Sequence, residues 1–177
     1  MPSIYSDAPP ATPVFRHTLA VIVDNEPGVL ARIAGLFSGR GYNIESLTVS
    51  ETQHEKHLSR ITIVTAGTAA VIVQIKAQLS RLVPVHRVMD LTIESDAVER
   101  ELVLLKVVGQ GEQRLEALRL AQAFGARTVD ATLKSFVFEL TGSSEEVERF
   151  IGLMTECGLA EVSRTGIAAL GRGAEVL

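Results

Sequence analysis

The sequence predicts an α+β protein built from two consecutive βαββαβ units, and three observations carry that prediction. Short β-branched runs with period-two alternation are interleaved with apolar stripes at helical spacing. The order strand–helix–strand–strand–helix–strand is met twice. A polar, acidic stretch, Glu94–Arg100 (ESDAVER), separates the two passes.

Thr18–Asp24 (TLAVIVD) reads as the first strand, closed by a turn signal. Pro27 follows where a helix can start, since the first turn does not need its missing N–H. Val29, Leu30, Ile33, Leu36 and Phe37 then form one helical stripe, and Gly39 and Gly41 bracket its stop. Tyr42–Ser50 alternates as a second strand, Glu51–Lys56 is a polar turn, and Leu58–Thr65 returns as a third strand. Ala69–Leu82 carries the second helical stripe and Val83–Ile93 the fourth strand.

The second pass runs in the same order. Glu101–Val108 is a strand, Leu115–Phe124 a helix ended by Gly125, and Arg127–Leu133 with Ser135–Leu140 a hairpin pair. Ser144–Cys157 is a helix with Ser143 or Ser144 as N-cap and Glu145 and Glu146 in its first turn; Leu159–Leu170 is the closing strand. Each unit is therefore expected to be a ferredoxin-like sandwich, an antiparallel sheet with two helices on one face. The divisions drawn are a proline-rich tail over 1–16, a first domain over 17–93, a linker over 94–100, a second domain over 101–171 and a tail over 172–177.

The first strand is apolar on both faces, with Leu19, Val21 and Val23 on one and Ala20 and Ile22 on the other. One helix layer covers only one face. The other face or the sheet edge is expected to meet a second subunit or the second domain.

Composition excludes several classes. Hydrophobic residues make up 46% and charged residues 21%, so the chain can bury a core and is not disordered. Seventeen basic against twenty-one acidic residues leave a charge of −4, which argues against a polyanion-binding face. Aromatics are 5%, and the central strands carry aliphatics, whereas an RNA-binding sandwich needs aromatics there. No segment is left for a helix-turn-helix. No run approaches the roughly 20 apolar residues of a membrane span, and the N-terminus does not read as a signal peptide. Cys157 is the only cysteine, which fits a reducing, cytoplasmic setting.

The turn Asp24–Leu30 (DNEPGVL) joins the first strand to the first helix. Free N–H groups at a helix start, together with the helix dipole, favour an anion by about 0.3–1 kcal/mol. Gly28 leaves the approach to the Val29 and Leu30 amides open. Asn25 offers a donor and an acceptor, and Asp24 and Glu26 favour an ammonium group. The same residue types also make an ordinary strand-to-helix turn. Asn43 sits where a strand is expected to begin, a position its propensity disfavours, or is simply a turn residue after Gly41. Asn25, Gly28 and Asn43 are thus candidates to flank a small zwitterion.

NEPGVLARIAGLFSGRGYNIESLTVS, followed by LSRITIVT and by SRTGIAALGRG at Ser163–Gly173, closely resembles the small regulatory subunit of acetolactate synthase. The resemblance runs from Thr18 through the second unit. It implies an amino-terminal ACT domain. It also implies a non-catalytic chain that activates the catalytic large subunit and confers feedback inhibition by valine or a related branched-chain amino acid. Homodimerisation through the ACT domains is implied as well, with Asn25, Gly28, Val29, Leu30, Asn43 and Ile44 as effector-binding positions shared between chains. Thiamine diphosphate, magnesium and FAD are expected only in the catalytic partner. The alternative is a stand-alone amino-acid- or metal-sensing ACT-type module, with His54 and His57 as half of a metal site. Cys157 reads as a small core or cap residue, and Gly109-Gln110-Gly111 is too little for a phosphate cradle.

Overall fold

The computed structural model describes residues 13–53, 57–174 and 176. The first unit comprises β1 (Phe15–Asp24), α1 (Val29–Arg40), β2 (Ser46–Gln53), β3 (Leu58–Gly67), α2 (Ala69–Leu79) and β4 (Val85–Asp90). A one-turn helix, α3 (Leu91–Glu94), leads into the second unit. That unit comprises β5 (Ala97–Val108), α4 (Gly111–Ala123), β6 (Arg127–Ala131), β7 (Ser135–Gly142), α5 (Ser144–Glu156), β8 (Leu159–Arg164) and β9 (Ala168–Gly171).

Both sheets are antiparallel. The first has the order β2-β3-β1-β4 and the second β6-β7-β5-β8, with β9 added against the first half of β5. This is the expected pair of ferredoxin-like sandwiches.

Each unit has its own core. Leu19, Val21, Val23, Ile61 and Ile63 of the first sheet pack under Ile33, Phe37, Ile72, Ile75 and Leu79. In the second, Val103, Leu105, Phe138 and Phe150 sit at the centre with Met154 and Cys157. Full burial of one such aliphatic side chain contributes about 1.5–3 kcal/mol. Asp90, fully buried, is matched by His17 Nδ1 at 2.7 Å and by the Thr92 amide at 3.0 Å, so its burial is compensated.

Several elements depart from the sequence-based expectation. β1 begins at Phe15, inside the expected tail. The fourth strand stops at Asp90, where the Asp90 side chain caps α3 and turns Leu91–Ile93 into helix. The stretch Glu94–Arg100 is not a linker. Its Ala97–Arg100 portion is the start of β5, paired from Ala97↔Gly171 to Arg100↔Ala168. Its alternation is weak, and a strand from the far end of the chain supplies the pairing. The closing strand is two strands, broken at Thr165-Gly166-Ile167, where Gly166 has φ +82°. The second strand begins at Ser46, not Tyr42, so Asn43 lies in irregular chain.

The break at Gly166 answers the question posed by the two-faced first strand. After the break, β9 pairs with the first half of β5 and lies over the outer face of the first sheet. Ile167 and Ala169 bury Ala20, Val64 and Leu91 in a third apolar cluster. Part of the outer face of the first sheet is thus covered by the second unit of the same chain.

Candidate functional site

The β1–α1 turn is held by backbone bonds on its strand side. Asp24 N donates to Pro84 O at 2.9 Å, and Asn25 N donates to His57 O at 2.7 Å. Gly28, at φ +88°, is the N-cap of α1 and offers no side chain to its amides. Pro27 therefore precedes the cap instead of opening the helix. A Cβ at Gly28 would meet nothing within 4 Å, so the mouth of the turn is open.

The two amides differ from expectation in one respect. The Val29 amide already donates to Glu26 O, at a long 3.4 Å, while the Leu30 amide has no partner among the described residues. The Val29 side chain is buried in the first core and the Leu30 side chain is exposed. Asn25, Glu26, Pro27 and Gly28 are all exposed. The Asp24 carboxylate is not free for an ammonium group, because His86 Nε2 lies 2.6 Å from it.

Asn43 is exposed, and its carbonyl accepts from Thr65 Oγ1 at 2.6 Å. Beside it, Tyr42 packs edge-on against Phe37, centroids 6.0 Å apart, and Ile44 leans on the first core. The next residue, Glu45, donates its amide to Val64 O at 2.8 Å and pairs with Arg16 at 3.1 Å.

These anchors fix where the two halves lie. Thr65 pairs with His17, near the start of β1, whereas Asn25 follows Asp24 at its end, which pairs with Leu58. Eight strand residues separate the two levels, about 26 Å along the sheet at 3.3 Å per residue. Within one chain, Asn25, Gly28, Val29 and Leu30 are brought together, and Asn43 and Ile44 are brought together, but the two groups are not. A small amino acid cannot span that gap.

A family description for the small subunit of acetolactate synthase matches residues 100–173, and one for an AHAS small subunit-like ACT domain matches residues 19–87. The probable acetolactate synthase small subunit of Archaeoglobus fulgidus is 48% identical over 158 residues, 89% of this chain and 98% of that protein. The acetolactate synthase small subunit of Haemophilus influenzae is 44% identical, covering 89% and 96%. This chain belongs to the acetolactate synthase small-subunit family. The crystal structure of the family member from Thermotoga maritima agrees, with a TM-score of 0.80 at 36% identity, covering 91% of this chain and 99% of that one. Membership makes the chain a regulatory subunit in branched-chain amino acid biosynthesis.

The remaining chemical groups of this small subunit are structural in their surroundings. Cys157 is buried in the second core, and burial, with Glu116 and Glu156 nearby, pushes its thiol above the usual range. It is a poor nucleophile there. Among the described residues, no group of three or more His, Cys, Asp or Glu is arranged to hold a metal ion; His54 lies outside them.

Sequence reasoning missed the joint between the units. Ile167 N donates to Ser46 Oγ at 3.1 Å, and a Cβ at Gly166 would sit 2.8 Å from both Ser46 Oγ and Thr48 Oγ1. Around it Arg164 bonds Glu101 and Glu148, and Arg16 reaches Glu45 and, at 3.9 Å, Glu99. The bonds to Glu148 and Glu101 outweigh the desolvation of Arg164 and raise its pKa. The available signal was a glycine inside a strand-like run, Ser163–Leu170, which marks a bend or a close approach of backbone.

Proposed function

We propose that this chain binds the catalytic large subunit of acetolactate synthase, raises its activity, and makes it sensitive to valine or a related branched-chain amino acid. The effector lies between two copies of the chain. The Asn25–Leu30 turn of one copy holds the carboxylate, and Asn43 with the Ile44 backbone of the other holds the opposite end. Thiamine diphosphate, magnesium and FAD belong to the large subunit, and the complex works in the cytoplasm.

The observation that carries the shared site is the separation of its halves at opposite ends of the first sheet. β2 is an edge strand of that sheet. Antiparallel pairing of two such edges about a twofold axis gives an isologous contact. It turns the Asn43 end of one sheet toward the Asn25 end of the other, and it removes an unpaired edge.

Complementation between two defective chains is the decisive experiment. Gly28→Asp places a carboxylate in the turn, and Asn43→Ala removes the opposite contact. Mixed with the large subunit, the Gly28→Asp homodimer should lose valine inhibition and the Asn43→Ala homodimer should need about tenfold more valine. In a Gly28→Asp/Asn43→Ala heterodimer, one of the two shared sites receives its turn from one chain and its Asn43 from the other, both intact. Valine binding of wild-type affinity should return at half stoichiometry. No recovery in verified heterodimers would sink the shared site. A thermal-shift screen of the wild-type chain against the twenty amino acids tests the effector class, since ligand at a hundredfold Kd stabilises by about 2.7 kcal/mol.

A further inference from the structure

β9 covers only part of the outer face of the first sheet. Toward the β2 edge a cleft of about 390 Å³ remains between Thr48, Arg60 and Thr62 on the sheet and Val98, Arg100 and Leu170 on the second unit. Clefts of this size, formed where two units meet, are where small molecules bind. It lies on the face of the sheet opposite α1, so it is separate from the turn at Gly28.

The cleft holds more positive charge and more unused bonding capacity than its neighbours satisfy. Arg60 Nη2 donates to Ala169 O at 2.8 Å, but Arg60 Nε is buried without a partner. Neither Arg60 nor Arg100 has a carboxylate within ion-pair distance among the described residues; Arg100 Nη1 donates only to the neighbouring Glu99 O, at 2.7 Å. Thr48 Oγ1 is likewise buried and unpaired. Burial lowers the Arg60 pKa, the mark of a cation desolvated without compensation. Unpaired buried groups of this kind are uncommon in a settled interior. Facing them is hydrocarbon: Val98, half-buried, and Leu170, 62% exposed.

We propose that this cleft is a second small-molecule site, taking a small aliphatic carboxylate. The carboxylate sits on Arg60 with Arg100 beside it, the geometry for which a guanidinium fork is suited. The branched hydrocarbon end lies against Val98 and Leu170. A bare inorganic anion would satisfy the arginines and leave that wall in water. Because Arg60 also holds the β9 backbone, an occupant touches both units at once and ties their docking to ligand. The site stands independently of the effector reading.

The test is titration of isovalerate into the full-length, isotopically labelled chain, followed by backbone amide correlation spectra. Saturable shifts are expected at Thr48, Arg60 and Ala169, at millimolar affinity. Arg60→Met should weaken binding at least tenfold. It also removes the bond to Ala169 O, so Arg100→Met is the cleaner variant: Arg100 bonds only its neighbour, and several-fold weakening is expected with spectra otherwise unchanged. Gly28→Asp should leave the affinity as it is. The proposal is overturned by shifts confined to residues 25–30 and 43–44, by equal affinity for inorganic phosphate, or by no shift at all. It is also overturned if the cleft amides move with protein concentration and not with isovalerate, which would mean that a second copy fills the cleft.

Discussion

The two units share one topology but set glycines of positive φ in opposite surroundings. After β1, Gly28 faces open space and the Leu30 amide points to no partner among the described residues. After β5 the helix start is open as well, since a Cβ at Gly111 would meet nothing within 4 Å, but the end of the strand is packed against the start of β8. Gly109 N donates to Lys134 O at 3.1 Å, and a Cβ on Gly109 would meet Cys157 O at 3.4 Å. Val108 N donates to Gly158 O at 2.9 Å, and a Cβ on Gly158 would lie 2.4 Å from Val108 O. The contrast is between two glycines of positive φ: Gly28, which faces open space at a helix start, and Gly158, which is packed against the end of β5. A ferredoxin-like frame does not itself make a binding site, and neither does an uncovered helix start, because both units have one.

Substituting the packed glycine should have the largest effect. Gly158 has φ +90°, and Gly158→Ala adds both left-handed strain and a clash with Val108 backbone. Together these are expected to cost about 2–5 kcal/mol, read as a fall in Tm. The open turn should behave in the other way. Gly28→Asp meets no neighbour and carries only the strain of φ +88°, about 1 kcal/mol. Its effect is expected on binding: valine affinity down at least a hundredfold by calorimetry, with activation of the large subunit retained. Equal stability losses at Gly158 and Gly28 would erase the contrast between the two glycines.

Asn43→Ala sharpens the open side further. The Asn43 carbonyl accepts from Thr65 Oγ1, a bond the substitution keeps, while its side chain is exposed and free to meet a ligand. Loss of one such hydrogen bond should weaken valine about tenfold, or ~1.4 kcal/mol, with Tm unchanged in the absence of ligand. Unchanged affinity would remove Asn43 from the site.

Periodicity and turn chemistry were enough for the order of elements, because both signals are local. Leu19, Val21 and Val23 alternate, and Ile33 and Phe37 recur at helical spacing, whatever the rest of the chain does. The turn at Asn25–Gly28 was legible for the same reason. Two things were not. The strand at Ala97–Arg100 depends on β9, about 70 residues away by the Ala97↔Gly171 pairing, and two of its four residues are charged. The distance between Asn25 and Asn43 depends on the register of β1 with β3, which composition does not encode. Residue type grouped Asn25, Gly28 and Asn43 as candidates and the family resemblance implied that chains share them; only the register shows that one chain holds them apart.

The smallest contrast lies in the second helix of each unit. α2 is capped by Thr68 alone, whose Oγ1 accepts from Val71 N at 3.4 Å. α5 has the reciprocal arrangement: Ser143 Oγ accepts from Glu146 N at 3.2 Å, and Glu146 Oε2 accepts from Ser143 N at 2.8 Å. The bonds from the Ser143 backbone and side chain hold the Glu146 carboxyl below the usual carboxylate range. A depressed folded-state pKa stabilises above the unfolded pKa, and that contribution is lost as pH falls through the folded value. The second unit should therefore lose a small part of its stability at and below ordinary glutamate pKa values, by a route α2 lacks. Glu146→Gln keeps an acceptor but cannot titrate. Urea unfolding followed from neutral to acid pH should show the difference between wild type and Glu146→Gln shrinking as pH falls. A gap that stays constant or widens would mean that the carboxylate of the box contributes nothing that its amide does not.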